Sequence, residues 1–297
     1  MNHAFLILAH NQPQLLKFIV ETLNTTNHYF FIHIDKKSSQ LLNSKEIKEL
    51  SKYGNVKIYS FMKVNWGGFN QFYVSLELLK KAIKITPNCN YFHLISGADL
   101  PLRKGHDFDV FFEGKEKNYM GLVKKNEALK CKQRLSIYYF RDIIDYRGNI
   151  LNKYLCLLFE NFQNLILNCG MNIRKNLDFE VYKGSNWWSL NRESVMYIID
   201  FCNENPSFIK RFKYTNCYDE IFFHSIIMNS KYKDTIENNN LRYIDWTSRN
   251  PKASLPNTLT EKDYMQIKKS GALFCRKIDW NISKELIKIV KNEIYHD

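Results

Sequence analysis

The chain has 297 residues, 45% of them hydrophobic and 15% aromatic with 25% charged, which excludes a disordered polymer and is long enough to bury a large core. Its 43 Lys and Arg against 30 Asp and Glu leave a net charge of +13, the sign that suits nucleic acid, anionic lipid or a phosphorylated small molecule. The basic residues are scattered and no zinc module or recognition-helix signature occurs, so nucleic acid is set aside as a partner. Seven cysteines, odd in number and never in a C-x-x-C pair, point to neither a zinc site nor a disulfide framework. The opening residues run into an apolar stretch too short for a signal peptide, and no segment reaches the length of a membrane span. A cytoplasmic protein is expected.

Phe5 to Ala9 reads as a buried strand, and Asn11 is expected to cap the helix that follows, with Pro13 near its first turn. Leu15, Leu16, Ile19, Val20 and Leu23 recur at helical spacing. Tyr29 to Ile34 is the second strand, Gln40 to Ser51 a polar helix and Val56 to Tyr59 a third strand. A loop, Trp66-Gly67-Gly68, precedes a helix from Phe69 to Ile85, and Tyr91 to Ile95 is a further buried strand. This β-α-β-α order predicts an α/β chain with a central, mostly parallel sheet and helices on both faces. Ligands bind such sheets beyond the carboxyl ends of the strands, where Asp35, Trp66 and Asp99 fall.

Leu151 to Cys169 is amphipathic and is expected to pack on the domain rather than lie on a membrane, because its polar face is not notably basic. Ser185 to Leu190 reads as a strand, Arg192 to Cys202 and Asp219 to Met228 as helices, Leu241 to Trp246 as a strand and Ser283 to Ile294 as a closing helix. Neither a dinucleotide fingerprint nor a P-loop, a nucleophile elbow or an H-E-x-x-H helix is present. Asp107-Phe108-Asp109 matches a metal-binding D-x-D. It leads into Val110-Phe111-Phe112 as the opening turn of a helix, where acidic residues suit the helix dipole, so a structural role is preferred.

Several segments occur in a telling order. They are Ala9-His10-Asn11, His33-Ile34-Asp35-Lys36-Lys37, Trp66-Gly67-Gly68 and Ser96-Gly97-Ala98-Asp99-Leu100-Pro101-Leu102. Then follow Gly184-Ser185-Asn186-Trp187-Trp188-Ser189-Leu190, Asp219-Glu220-Ile221-Phe222-Phe223, Tyr243-Ile244-Asp245-Trp246 and Leu273-Phe274-Cys275-Arg276-Lys277-Ile278-Asp279. Together they resemble bacterial members of the core-2/I-branching N-acetylglucosaminyltransferase family, related to protein O-xylosyltransferases, from Ala4 to Asp279. The resemblance implies one glycosyltransferase A-like domain over 1–297, with a nucleotide-sugar half at 1–123 and an acceptor-binding, catalytic half at 124–297.

It also implies an inverting transfer without a metal or other cofactor. Such a transfer needs a carboxylate to take the acceptor proton and positive charge to neutralise the departing diphosphate. The family's base falls on Glu220, and its phosphate-binding lysine on Lys277, beside Arg276. A second cation expected upstream falls on Ala253, which leaves Lys252 or Arg249 to supply it. His10, Asp35, Lys63, Trp66 and Asp99 complete the donor side implied by the family, with Asp35 on the nucleoside. Trp187, Trp188 and Trp246 fall on the acceptor side, although alternation along a strand lets only one of the adjacent pair face a cleft. The implied donor is UDP-N-acetylglucosamine, with UDP-xylose, UDP-glucose or UDP-galactose as alternatives. A non-catalytic carbohydrate-binding protein on the same fold is the reading from a different class. The expected acceptor is a lipid-linked glycan, with peripheral contact at an anionic inner membrane surface.

Overall fold

The computed structural model describes residues 1–124, 134–175, 177–249 and 255–296. Its first half alternates β1 (His3–Ala9), α1 (Pro13–Leu23), β2 (His28–Ile34), α2 (Ser39–Leu42), α3 (Lys45–Leu50), β3 (Val56–Tyr59), α4 (Phe69–Ile85) and β4 (Tyr91–Ser96). Next come β5 (Leu100–Pro101), α5 (Gly105–Phe112), β6 (Asn118–Leu122), α6 (Ile150–Asn168), β7 (Gly184–Asn191), α7 (Arg192–Glu204) and α8 (Pro206–Phe212). A 3-10 turn at Tyr218–Glu220 leads to α9 (Phe222–Met228), β8 (Ile236–Glu237), β9 (Arg242–Ile244), α10 (Tyr264–Lys269), β10 (Phe274–Arg276) and α11 (Lys284–His296).

Seven strands form the main sheet in the order β3-β2-β1-β4-β7-β6-β8, and β5-β10-β9 form a second. From β3 to β4 the pairing is parallel, and β7 runs antiparallel to both β4 and β6. Alternation along the strands splits the core into two layers. Phe5, Ile7, Phe30, Ile32 and Ile95 pack under α1, α3, α5 and α11, whereas Leu6, Phe31, Phe92, Leu94 and Leu190 pack under α4, α7 and α9. The mixed α/β layout with helices on both faces agrees with the sequence pattern.

Several local expectations are corrected. Asn11 does not cap α1; Gln12 holds that position at φ 60 without a side-chain cap. The Gln12 amide instead donates to the Ile278 carbonyl at 3.2 Å and accepts from Trp280 N at 2.6 Å, which ties the end of β1 to the chain after β10. The polar helix over Gln40 to Ser51 is two short helices. Helix α6 does not pack by its apolar stripe: only Cys156 and Gln163 of this helix are buried, and Leu151, Leu158 and Phe162 are exposed.

Asp107 caps α5, its carboxylate accepting from Lys104 N at 3.1 Å. Asp109 lies 3.4 Å from both His3 and His28, at the amino ends of the strands. Among the described residues these three are the one group with metal-ligand spacing, at the opposite end of the sheet from Asp35. His3 also meets His93 at 2.9 Å, and His93 meets Ser189 at 2.8 Å.

Burial pushes these rings and others toward the neutral form: His33 to about 4, His224 to about 3 and His3 to about 2, from an ordinary 6.5. Below that ordinary value the unfolded chain takes up protons that the folded chain refuses. Stability is therefore full above it and falls as the pH drops toward the folded values. Each such histidine should cost about 1.4 kcal/mol per pH unit in that window. We expect the urea midpoint to fall clearly between about pH 7 and about pH 5. An unchanged midpoint would mean that the rings are charged inside the fold.

Candidate active site

The carboxyl ends of β1, β2 and β4 bring together His10, Asp35 and the Ser96–Asp99 turn. Asp35 is buried, and its Oδ1 accepts from Lys37 N at 2.9 Å and from Val64 N at 3.2 Å, which fixes the carboxylate to the loop ahead of Trp66. His10 shares this neighbourhood. Desolvation lowers its pKa most, Asp35 opposes that shift, and Lys277 and Lys37 add to it. The charge of Lys277 thus reaches His10, although Lys277 follows a strand of the second sheet. Its backbone is held on both sides, by Asn257 O at 3.3 Å and Leu259 N at 2.9 Å, while its side chain is exposed.

Asp99 is engaged within the protein. It is fully buried and accepts from Ser96 N at 3.0 Å and Ser96 Oγ at 3.1 Å. Arg276 approaches it to 3.5 Å and Arg242 to 4.0 Å. Arg276 also lies over the Trp187 ring, 4.4 Å from its centroid. These residues join the two sheets, and neither Asp99 nor Arg276 is a free donor contact. Trp188, one residue on, is 0% exposed and packs edge-on against Phe223, so it belongs to the core and not to an acceptor surface. Strand alternation separates the pair as expected. Trp246 is exposed beyond β9.

Of the two candidates for the second cation, Arg249 is engaged within the protein. Arg249 donates twice to Asp263, at 2.5 and 3.2 Å, and pairs with Asp245, so its fork is already filled. Lys252 and Ala253 lie outside the described residues. Lys63 is exposed on the loop before Trp66, its carbonyl accepting from Asn70.

Glu220 closes the 3-10 turn ahead of α9, not the first turn of the helix as expected. Arg134 donates to its Oε2 at 2.9 Å, and Lys183, one residue before β7, stands 3.5 Å away. Because β7 runs antiparallel to β4, its first residues share the rim on which β1, β2 and β4 end. Asp219, which the sequence reading passed over, is buried beside Glu220 and accepts from Gln71 of α4 at 2.7 Å. Desolvation first, and the neighbouring Glu220 second, raise its pKa. Two adjacent acidic residues after a buried aromatic were the available signal.

The two glycines of the Trp66 loop explain how that turn is held. Gly67 has φ +72, and its carbonyl accepts from Cys217 N at 3.0 Å. A Cβ there would stand 2.6 Å from Asn216 Oδ1; one at Gly68 would stand 2.3 Å from Asp142 Oδ1. Asp142 in turn accepts from Phe69 N at 2.9 Å and Asn70 N at 3.1 Å at the start of α4. Trp66 itself lies beside Tyr146 and under the Arg147 guanidinium, 4.0 Å from its ring centroid.

With this geometry in view, the comparisons with known proteins are specific. The Core-2/I-Branching enzyme family matches residues 3–268, and the chain belongs to that family. Family and sheet order together define an α/β, glycosyltransferase A-like fold. The chain is 22% identical over 314 residues to a xylosyltransferase of Ciona intestinalis, covering 99% of this chain and 34% of that protein. It is 23% identical over 316 residues to xylosyltransferase 1 of Rattus norvegicus, covering 98% and 35%. With xylosyltransferase 2 of the same species it shares 24% identity over 312 residues, covering 98% and 33%. The chain thus spans about a third of the length of the curated relatives it matches.

Gly67→Ala should strain the left-handed backbone and push Asn216 away. We expect a loss of about 1–3 kcal/mol in stability, read from the denaturant midpoint. A variant as stable as the parent would show that this loop does not anchor the Glu220 turn.

Proposed function

We propose that this chain is an inverting, metal-independent glycosyltransferase that moves a sugar from a nucleotide-sugar donor to a glycan. The observation that supports this most is Glu220, an accessible carboxylate oriented by Arg134 and Lys183 on the rim where the parallel strands end. In this reading Glu220 takes the proton from the acceptor hydroxyl as its oxygen attacks the anomeric carbon. The bond from that carbon to the diphosphate oxygen breaks, and its electron pair leaves with the nucleoside diphosphate. Lys277, whose exposed ammonium has no carboxylate partner among the described residues, neutralises that charge in place of a metal. Asp35 and His10 line the nucleoside side, with Lys63 and Trp66 on the adjoining loop. Trp187 and Trp246 serve the acceptor side.

UDP-N-acetylglucosamine is the first donor in this reading, following the resemblance in the motifs. UDP-xylose is second, favoured by the names of the relatives. The acceptor is a lipid-linked glycan at the cytoplasmic face of a membrane. Slow hydrolysis of a panel of UDP-sugars without acceptor identifies the donor; glycan binding with no hydrolysis of any of them would support a binding protein instead.

Glu220→Gln keeps the shape and removes the proton acceptor, so it should retain donor affinity and lose roughly 10²–10⁴-fold in transfer. Turnover at the parental rate would end the assignment. Activity should survive excess EDTA, and Lys277→Ala should lower kcat more than it weakens donor binding. Loss in EDTA restored by manganese, with Lys277→Ala unaffected, would return the diphosphate to a metal.

A further inference from the structure

Helix α6 is mounted the wrong way round for a helix in water. Two of its polar residues face the protein, while Lys153, Asn161 and Asn164 are exposed: Gln163 accepts from Tyr138 N at 2.8 Å and donates to Tyr138 O at 2.9 Å, and Glu160 pairs with Arg141 at 2.5 Å. At 100° per residue, Leu151, Tyr154, Leu155, Leu158, Phe162 and Leu165 fall on one stripe, and each of them is between 45% and 70% exposed. The helix has 19 residues, which makes the stripe about 28 Å long. A surface helix ordinarily buries this face, and an exposed apolar patch of such extent marks an interaction site.

Charge decides what it meets. Within 140–175 every carboxylate is already engaged inside the protein: Asp142 at the start of α4, Asp145 with Lys37, and Glu160 with Arg141. Arg147, Lys153 and Lys175 are exposed around the same helix. A second copy of the chain would bring another +13 against this one, whereas an anionic surface attracts it. No helix of the described residues is long and apolar enough to cross a membrane, so α6 lies on one and does not span it.

We propose that α6 is the docking face for an anionic lipid bilayer, its apolar stripe entering the acyl boundary and the nearby basic side chains meeting the headgroups. The stripe adjoins the candidate site. Arg141, which holds Glu160, accepts from Asn65 through its carbonyl at 2.8 Å, and Arg147 covers Trp66. Docking there turns the Trp66 loop toward the surface from which a lipid-borne acceptor is presented. This inference stands on exposure and charge and holds whichever sugar is moved.

The test is flotation of the full chain with phosphatidylglycerol-containing vesicles and with pure phosphatidylcholine vesicles. We expect binding to the anionic vesicles, weakened by salt, and a loss of at least about tenfold in the double variant L158E/F162E. Both positions are exposed, so the melting temperature and UDP-sugar hydrolysis of the variant should match the parent. No binding to anionic vesicles, or equal binding by the double variant, overturns the proposal. So does light scattering that shows a parental dimer and a monomeric variant, because the face would then belong to a second copy.

Discussion

Two guanidinium groups converge on one buried carboxylate where the two sheets meet, and the junction of the sheets depends on them. Asp99 ends the turn after β4, while Arg242 and Arg276 arrive from β9 and β10, far along the chain. A buried charge must be paired, and removal of one partner from such a group typically costs about 3–5 kcal/mol. Desolvation lowers the pKa of both arginines, and Asp99 opposes that shift. Lys277, the residue after Arg276, is near enough for its charge to act on His10 beyond β1. Trp187 receives its cation from the same Arg276.

The opposite side of the rim is held by close backbone approach. Gly67 and Gly68 allow Asn216 and Asp142 to come nearer than any Cβ permits, and the carbonyl of Gly67 holds Cys217. Three residues later the chain presents Glu220. Asp219 beside it is anchored by Gln71, so the acidic pair is tied to α4. One loop therefore serves two purposes: it presents Trp66 outward and clamps the carboxylate turn behind it.

The excess positive charge acquires a location in the fold. At the sheet end much of it is absorbed, with Arg242 and Arg276 on Asp99 and Arg249 on Asp263 and Asp245. Around α6 the carboxylates are taken by internal partners, and Arg147, Lys153 and Lys175 are left outside, beside an apolar stripe that the body does not cover. The same chain thus gathers buried charge where its two sheets meet and leaves an exposed apolar surface along α6.

Local pattern sufficed for much of this. The bounds of β3 and α4, the parallel β-α order and the division of Trp187 from Trp188 follow from periodicities of 2 and 3.6 residues, which neighbouring side chains impose by themselves. Asp35 at a strand end is equally local. Partner choice is not local. That Asp99 takes Arg276, that Arg249 is consumed by Asp263, and that Gln12 reaches across to Ile278 and Trp280 depend on contacts between distant parts of the chain. Helix α6 shows the difference most clearly. Its sequence determined that it would be amphipathic, but which face meets the protein was decided by Tyr138 and Arg141, whose polar groups claimed Gln163 and Glu160 and turned the leucines outward.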